Sequence, residues 1–250
     1  MKRFLFGIWP RRKDTRSGQT LKLPAVEATE ADYLIFGRVR PFTMTSQERQ
    51  WALLSAIRYL VENNIPGDIV ECGVWRGGST MLAALKLIEL GSTDRYLWLY
   101  DTFDGMTEPS EKDYEAESAK FAKDLLITQE QIEGNNLWCI ASIEDVRRNL
   151  QSTGYPIEKY RICQGDVKVT LLSEVPEQIA LLRLDTDWYE STKFEMEVLF
   201  PRLVAGGICI IDDYGHWAGA RQAVDEYLAA HEVYPLLHRI DYTGRLFFKP

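Results

Sequence analysis

Short apolar runs alternate along the chain with amphipathic segments. Residues 46–63, SQERQWALLSAIRYLVEN, place Trp51, Leu54, Ile57, Leu60 and Val61 at helical spacing. That spacing predicts a helix with one apolar face, and Ser46 is suited to cap its start. The pair Pro66-Gly67 breaks the chain after it. DIVECGV (68–74), YLWLYDTF (96–103), YRICQGDV (160–167), IALLRLD (179–185) and GGICIID (206–212) then read as five strands. Helices are expected between and after them at 79–90, from Ser142 within ASIEDVRRNL, from Thr192 to about Leu203, and at 217–230. Thr192 and Glu195 have the spacing of a capping box. The segment 104–135 is polar and acidic, with a helix expected from Ser118 to Leu126. RIDY and RLFFKP at the end read as an antiparallel pair.

Strands that are apolar throughout and alternate with helices belong to a parallel sheet covered on both faces. The expected fold is therefore α/β, a doubly wound, mostly parallel sheet of seven strands. In such sheets ligands sit outside the carboxyl ends of the strands. Glu71, Asp101, Asp166, Asp185, Asp212 and Asp213 all fall at or near those ends. A buried strand that ends in paired carboxylates carries a desolvation cost that needs a reason.

Composition narrows the partners. The 250 residues carry a net charge of -8, which argues against nucleic acid, since phosphate binding needs a basic face. The four cysteines (Cys72, Cys139, Cys163, Cys209) form no CxxC pair, so neither a zinc knuckle nor a disulfide framework is indicated. Reduced thiols place the chain in the cytoplasm. No run of about 18 apolar residues occurs, so no membrane span is expected. The apolar stretch Phe4–Trp9 is too short for a signal-peptide core. Residues 1–30 read as an arm, with an interfacial anchor as the alternative.

The turn ECGVWRGGST follows the first strand and leads into a helix. Gly73, Gly77 and Gly78 let the backbone approach a ligand closely, although a plain tight turn would look the same. Glu71 stands where a dinucleotide site has glycine. A carboxylate there repels a pyrophosphate and suits an ammonium or sulfonium, and S-adenosylmethionine carries both. Asp101 is placed to accept ribose hydroxyls, and Asp166 to accept from an adenine amino group. Asp185 and Asp187 face one way if the strand stays extended, close to Asp212 and Asp213 on the adjacent strand. Crowded carboxylates destabilise a fold unless a cation intervenes. All-oxygen donors select Mg²⁺, or Mn²⁺; the alternative is two pairs of helix-capping acids. His216 follows as a base, a substrate contact or a hydrogen-bonded surface residue. Trp188, Tyr189, Tyr214 and Trp217 lie along the same edge, as packing or as a stacking surface for a sugar.

RPFTMTS (40–46), VECGVWRGGS (70–79), LYDTFDGMTEP (99–109), ALLRLDTDWYEST (180–192) and IIDDYGHWAGAR (210–221) together resemble the metal-dependent O-methyltransferases of natural-product biosynthesis typified by macrocin O-methyltransferase. The resemblance spans roughly residues 35–230 in the family's order. It implies a class I, Rossmann-like methyltransferase domain over 41–250, an arm or lid before residue 40, and a lid-like insertion at about 104–135. It implies that Met44, Thr45 and Ser46 lie over the methionine part of S-adenosylmethionine, with Glu71, Gly73, Trp75 and Ser79 around its amino-acid end. Asp101 would take the ribose, and Ser142 and Asp166 the adenine. Asp185, Asp212 and Asp213 match the metal ligands, Asp185 also facing the cofactor, and Asp187 matches the general base. Catechol O-methyltransferase, similar in layout, has a lysine base where this chain has Trp188. Trp188, Tyr189, His216 and Trp217 would meet the acceptor, expected to be a glycoside with adjacent hydroxyls. A homodimer is expected.

Two other classes compete. LDTDW is similar to the Asp-x-Asp signature of metal-dependent glycosyltransferases, although that reading leaves IIDDY and the glycine turn unexplained. A binding protein that kept the fold without turnover is the other. An NAD-dependent oxidoreductase conflicts with Glu71 and with the acidic cluster.

Overall fold

The structure, a computed structural model, describes residues 27–133 and 136–250. The expectations for residues 1–26 lie outside the described residues. Five parallel strands form the centre: β1 (Asp68–Cys72), β2 (Leu97–Asp101), β3 (Tyr160–Gln164), β4 (Ile179–Leu184) and β5 (Leu203–Ile211). β6 (His238–Arg239) and β7 (Arg245–Phe248) complete one seven-stranded sheet of order β3-β2-β1-β4-β5-β7-β6. β7 is antiparallel to both of its neighbours. Strand order reverses between β1 and β4, so the crevice at their carboxyl ends is the switch point where a ligand fits.

Both faces of the sheet are covered. On one side lie α1 (Glu30–Val39), α2 (Gln47–Glu62), α3 (Gly78–Glu89) and α5 (Ile143–Gln151), whose core includes Leu54, Ile57, Leu82 and Leu150 against Leu99 and Leu181. On the other lie α6 (Val167–Thr170), α7 (Tyr189–Leu199) and α8 (Ala218–Ala230), with Met196 and Val224 against Val70, Leu182 and Phe247. A short α4 (Ala122–Ile127) belongs to the long segment after β2 and joins Trp188, Trp217 and Ala220 in a third cluster. Every residue of β4 is buried, which is why that strand reads as a continuous apolar run; the exception in character is Arg183.

Four expectations are corrected. Residues 30–39 are not arm but helix, with Ile35, Phe36 and Val39 in the core and a Thr29–Asp32 capping box at its start. α7 begins at Tyr189, not Thr192. Its first N–H is met by the Asp113 carboxylate at 2.7 Å, so the Thr192–Glu195 spacing is incidental and both residues lie buried within the helix. α4 starts at Ala122 rather than Ser118, because Tyr114 and Phe121 pair across a turn that carries Ala119 at φ 56°. In RIDY the ladder ends at Arg239 and the Ile240 N–H still donates to the Gly244 carbonyl at 3.0 Å, but Asp241 turns the chain by accepting the Thr243 and Gly244 N–H groups.

All four cysteines are free. No helix among the described residues is long and apolar enough to cross a membrane.

Candidate active site

The crevice opens into a cavity of about 500 Å³, within the size range of small-molecule sites. Its floor is set by register. The Asp185 N–H donates to the Cys72 carbonyl at 2.8 Å, and the Asp212 N–H to the Leu184 carbonyl at 2.9 Å. The ends of β1, β4 and β5 are thus tied side by side, and their acids arrive together. Gly73, at φ 82°, passes so close that a Cβ would lie 2.0 Å from the Asp185 carbonyl oxygen, so only glycine fits there.

Thr186 follows Asp185, and the chain then turns sharply. Asp187 has φ 67°, and the Trp188 N–H donates to the Thr186 carbonyl at 2.7 Å. The extended backbone assumed from sequence does not continue, yet Asp187 still converges with Asp185. Carboxylate oxygens of Asp185, Asp187 and Asp213 lie within 4.8 Å of one another. Asp212, expected as the third ligand, is not in that set. It is buried and paired with Arg49 and, at 2.7 Å, with Arg183.

Neither arginine was singled out from sequence. Arg183 lies on β4 directly beside Glu71 of β1. Its guanidinium meets Glu71, Asp185 and Asp212, each at 2.7 Å. Burial works against its charge, but the three carboxylates outweigh burial and hold it protonated. Arg49, on α2, bridges Asp212 to Asp241. The signal for Arg183 was present: a cation inside an apolar strand must be paired.

The donor pocket differs in detail from expectation. One oxygen of Glu71 accepts from Arg183 and the other from Thr80, and the Ser79 hydroxyl also reaches the carboxylate. Asp101 accepts the Val74 and Trp75 N–H groups on one oxygen, at 2.6 and 3.0 Å, and the Phe103 N–H on the other, at 2.7 Å. The Thr102 hydroxyl also lies 3.4 Å from that second oxygen, and Asp101 thereby ties the loops after β1 and β2 together. Met44, Thr45, Gly73, Trp75, Ser79 and Asp166 line the cavity; Ser46 and Ser142 do not. Those two serines cap α2 and α5. Gln129, Asn136, Leu137 and Cys139, not expected from sequence, also line the cavity.

His216 and Trp217 line the cavity, together with Met106 and Thr107. His216 Nδ1 pairs with the Tyr242 hydroxyl at 2.8 Å, and burial lowers its pKa. Trp188 and Tyr189 do not line it. The Trp188 ring is 1% exposed, packs edge-on against Trp217, and donates to the Thr107 carbonyl at 3.0 Å. The Tyr189 hydroxyl points away, to Glu226 at 2.6 Å. Their expected contact with the acceptor is corrected: both are framework.

The acids at the centre are held in a costly state. Burial, and then the charges of Asp185 and Asp212, push the Asp187 carboxyl up to about 7. Burial, and then Asp187 and Asp212, raise Asp213 well above the usual carboxylate range, and burial does the same to Asp185 against the pull of Arg183. Asp213 Oδ2 is buried without a hydrogen-bond partner. An orphaned carboxylate oxygen among two others fits a hard divalent cation.

Glu195, which the sequence pattern places only in a capping box, stands close behind the site. It is wholly buried on α7, and burial pushes its carboxyl up to about 8. A folded-state value above the unfolded 4.5 means the native protein holds a proton that the unfolded chain releases. Stability from this group is therefore full below about 4.5 and is lost as pH rises through about 8. Glu195→Gln should flatten the decline of unfolding free energy over that window in denaturant titrations. An unchanged slope would mean the carboxyl is not neutral in the native state.

A parallel sheet switching between β1 and β4, with an antiparallel strand beside β5, is the fold of the class I S-adenosylmethionine-dependent methyltransferases. The structure of the O-methyltransferase NovP superposes with a TM-score of 0.71 at 32% identity, covering 83% of this chain and 82% of that one. Residues 36–249 match the macrocin-O-methyltransferase (TylF) family, and the chain belongs to that family of O-methyltransferases. It is 34% identical over 218 residues to the 8-demethyl-8-(2,3-dimethoxy-alpha-L-rhamnosyl)-tetracenomycin-C 4'-O-methyltransferase of Streptomyces olivaceus, covering 86% of this chain and 79% of that protein. It is also 34% identical over 202 residues to the demethyldecarbamoylnovobiocin O-methyltransferase of Streptomyces niveus, covering 81% and 73%.

Proposed function

We propose that the protein methylates a sugar hydroxyl of a glycosylated small molecule, taking the methyl from S-adenosylmethionine with the help of a divalent cation, Mg²⁺ or Mn²⁺. The observation that carries the reading is the set of three converging acids, one with a buried unpartnered oxygen, at the switch-point cavity of a methyltransferase fold. A rhamnosyl group in the name of the tetracenomycin relative supports a sugar acceptor. Glu71 would receive the donor's ammonium and Asp101 its ribose. Asp185 and Asp213 would hold the cation. When bound, the cation supplies a Lewis acid that lowers the pKa of an oxygen beside it.

Asp187 would take the proton from the acceptor hydroxyl. The methyl–sulfur bond would break as the oxygen–methyl bond formed, its electron pair staying on sulfur, so that the donor would leave as S-adenosylhomocysteine and the proton would rest on Asp187. Positioning is the main contribution of the site to such an in-line transfer. His216 and Trp217 would orient the sugar, and Met106 and Thr107 would keep water from the reacting atoms.

A second reading has one observation in its favour. Asp187, rather than Asp212, shares the gathered oxygen set. Asp187 would then be a ligand and His216 the base.

S-adenosylhomocysteine should raise the melting temperature by mass action. EDTA should abolish turnover on vicinal-diol glycosides, and Mg²⁺ or Mn²⁺ should restore it. Full activity in a metal-free preparation would remove the cation from the scheme. A thermal shift with a nucleotide-sugar and none with S-adenosylhomocysteine would favour a glycosyltransferase.

A further inference from the structure

Glu195 takes no part in the chemistry set out above, yet its position is unusual. It lies at 0% exposure on the face of α7 that packs on the sheet, beside Met196 and Leu199. A carboxyl in such a place is costly unless it is hydrogen-bonded, and a leucine would fill the space without that cost. It is bonded to one residue that lines the cavity, and its carboxyl also meets the Cys72 thiol of β1. The Thr186 hydroxyl donates to both carboxyl oxygens, at 3.0 and 3.1 Å.

Thr186 is the residue between Asp185 and Asp187, and it lines the cavity. It also opens the sharp turn centred on Asp187. A three-residue turn whose central residue has positive φ is the rare, strained form, and φ 67° is uncommon for any residue but glycine. Such a conformation persists only where its surroundings over-determine it. On the far side of the turn Trp188 is fixed by its bond to Thr107 and by the Trp217 ring. On the near side, among the described residues, the only side-chain hydrogen bond of Thr186 is to Glu195.

We propose that Glu195 is a positioning residue for methyl transfer: from behind the sheet edge it fixes Thr186, and through Thr186 the strained turn that presents Asp187 to the acceptor. Burial pushes the carboxyl up to about 8, and in either protonation state it offers the Thr186 hydroxyl an acceptor oxygen. The inference rests on the reading of Asp187 as the base.

The test compares Thr186→Val, Thr186→Ser, Glu195→Gln and Glu195→Met with Asp187→Asn. Each is assayed for kcat, acceptor KM, S-adenosylhomocysteine binding by calorimetry, and melting temperature. Thr186→Val keeps the shape and loses the hydroxyl. It should lower kcat by about 10- to 100-fold, the scale of a small misplacement at a reacting centre, with donor binding and melting temperature unchanged. Thr186→Ser and Glu195→Gln keep a donor and an acceptor, and should restore turnover close to wild type. Glu195→Met should match Thr186→Val, and the double variant Thr186→Val/Glu195→Met should be no worse than either alone. If Glu195→Met does not fold, the threonine pair still decides. Wild-type turnover in Thr186→Val while Asp187→Asn is inactive would overturn the positioning role and leave the base in place. A kcat loss in Thr186→Val matched by loss of donor binding would also overturn it, as a purely structural contact. Wild-type turnover in Asp187→Asn would overturn the base reading, and this inference with it.

Discussion

Asp187→Asn is expected to lose roughly 10²–10⁴-fold in kcat, the usual weight of general-base catalysis, while binding S-adenosylhomocysteine normally. The amide keeps the size and reach of the carboxylate but does not accept the proton. Excess Mg²⁺ should not restore the rate, whereas higher pH should help if solvent hydroxide substitutes. Asp213→Ala should behave differently. It removes a charge and one of the three gathered oxygens, so the apparent Mg²⁺ constant should rise and excess metal should recover part of the rate. The measurement is kcat against Mg²⁺ concentration for both variants. Rescue of Asp187→Asn by metal would make Asp187 a ligand and move the search for the base to His216.

The second large effect concerns the fold. Arg183→Met removes the cation that Glu71, Asp185 and Asp212 share. Breaking a buried ion pair from one side typically costs about 3–5 kcal/mol, because the partner charges remain. For a chain of this size that corresponds to a fall in Tm of about 10 °C. Donor binding should weaken as well, since Glu71 lines the cavity and would lose the bond that orients it. Arg183→Lys should recover little, because one ammonium does not reach three carboxylates in the way a planar fork does. A melting temperature equal to wild type for Arg183→Met would show that the acids are balanced by other means.

The parallel sheet, its strand positions and the gathering of acids at one edge were legible because they follow from period and from strand-end chemistry. Asp185, Asp187 and Asp213 do converge. The reason given for Asp187 was wrong, since a turn and not an extended strand brings it there. What sequence alone does not show is which partner a charge finds. Asp212 looks like any strand-end acid until Arg49 and Arg183 are seen against it. Ser46 and Ser142 have residue types equally suited to a ligand or to a helix N-terminus, and packing assigned them to the latter. α1 was missed because Gly37 weakens its helical signal and its buried Asp32 is balanced by Lys86 and Arg58 from distant helices. Trp188 and Tyr189 sit one and two residues beyond Asp187, yet that turn sends both rings into packing.

The contact between Asp113 and the start of α7 has a mechanical consequence. Asp113 is wholly buried. One oxygen holds the Tyr189 N–H, and the other holds the backbone and hydroxyl of Ser110. Lifting this part of the segment after β2 would leave a carboxylate and a helix terminus unpaired together, and a hydrogen bond to a charged group is worth about 1.5–3 kcal/mol. The wall at Met106 and Thr107 is thereby rooted in the same helix that follows the Asp187 turn. Residues 127–133, by contrast, are all exposed. The segment thus divides into a part anchored on α7 and an exposed part whose bonds, from Leu137 and Trp138 to Gln129 and from Asn136 to Glu130, stay within the segment itself, so the frame around the Asp187 turn does not depend on the exposed part.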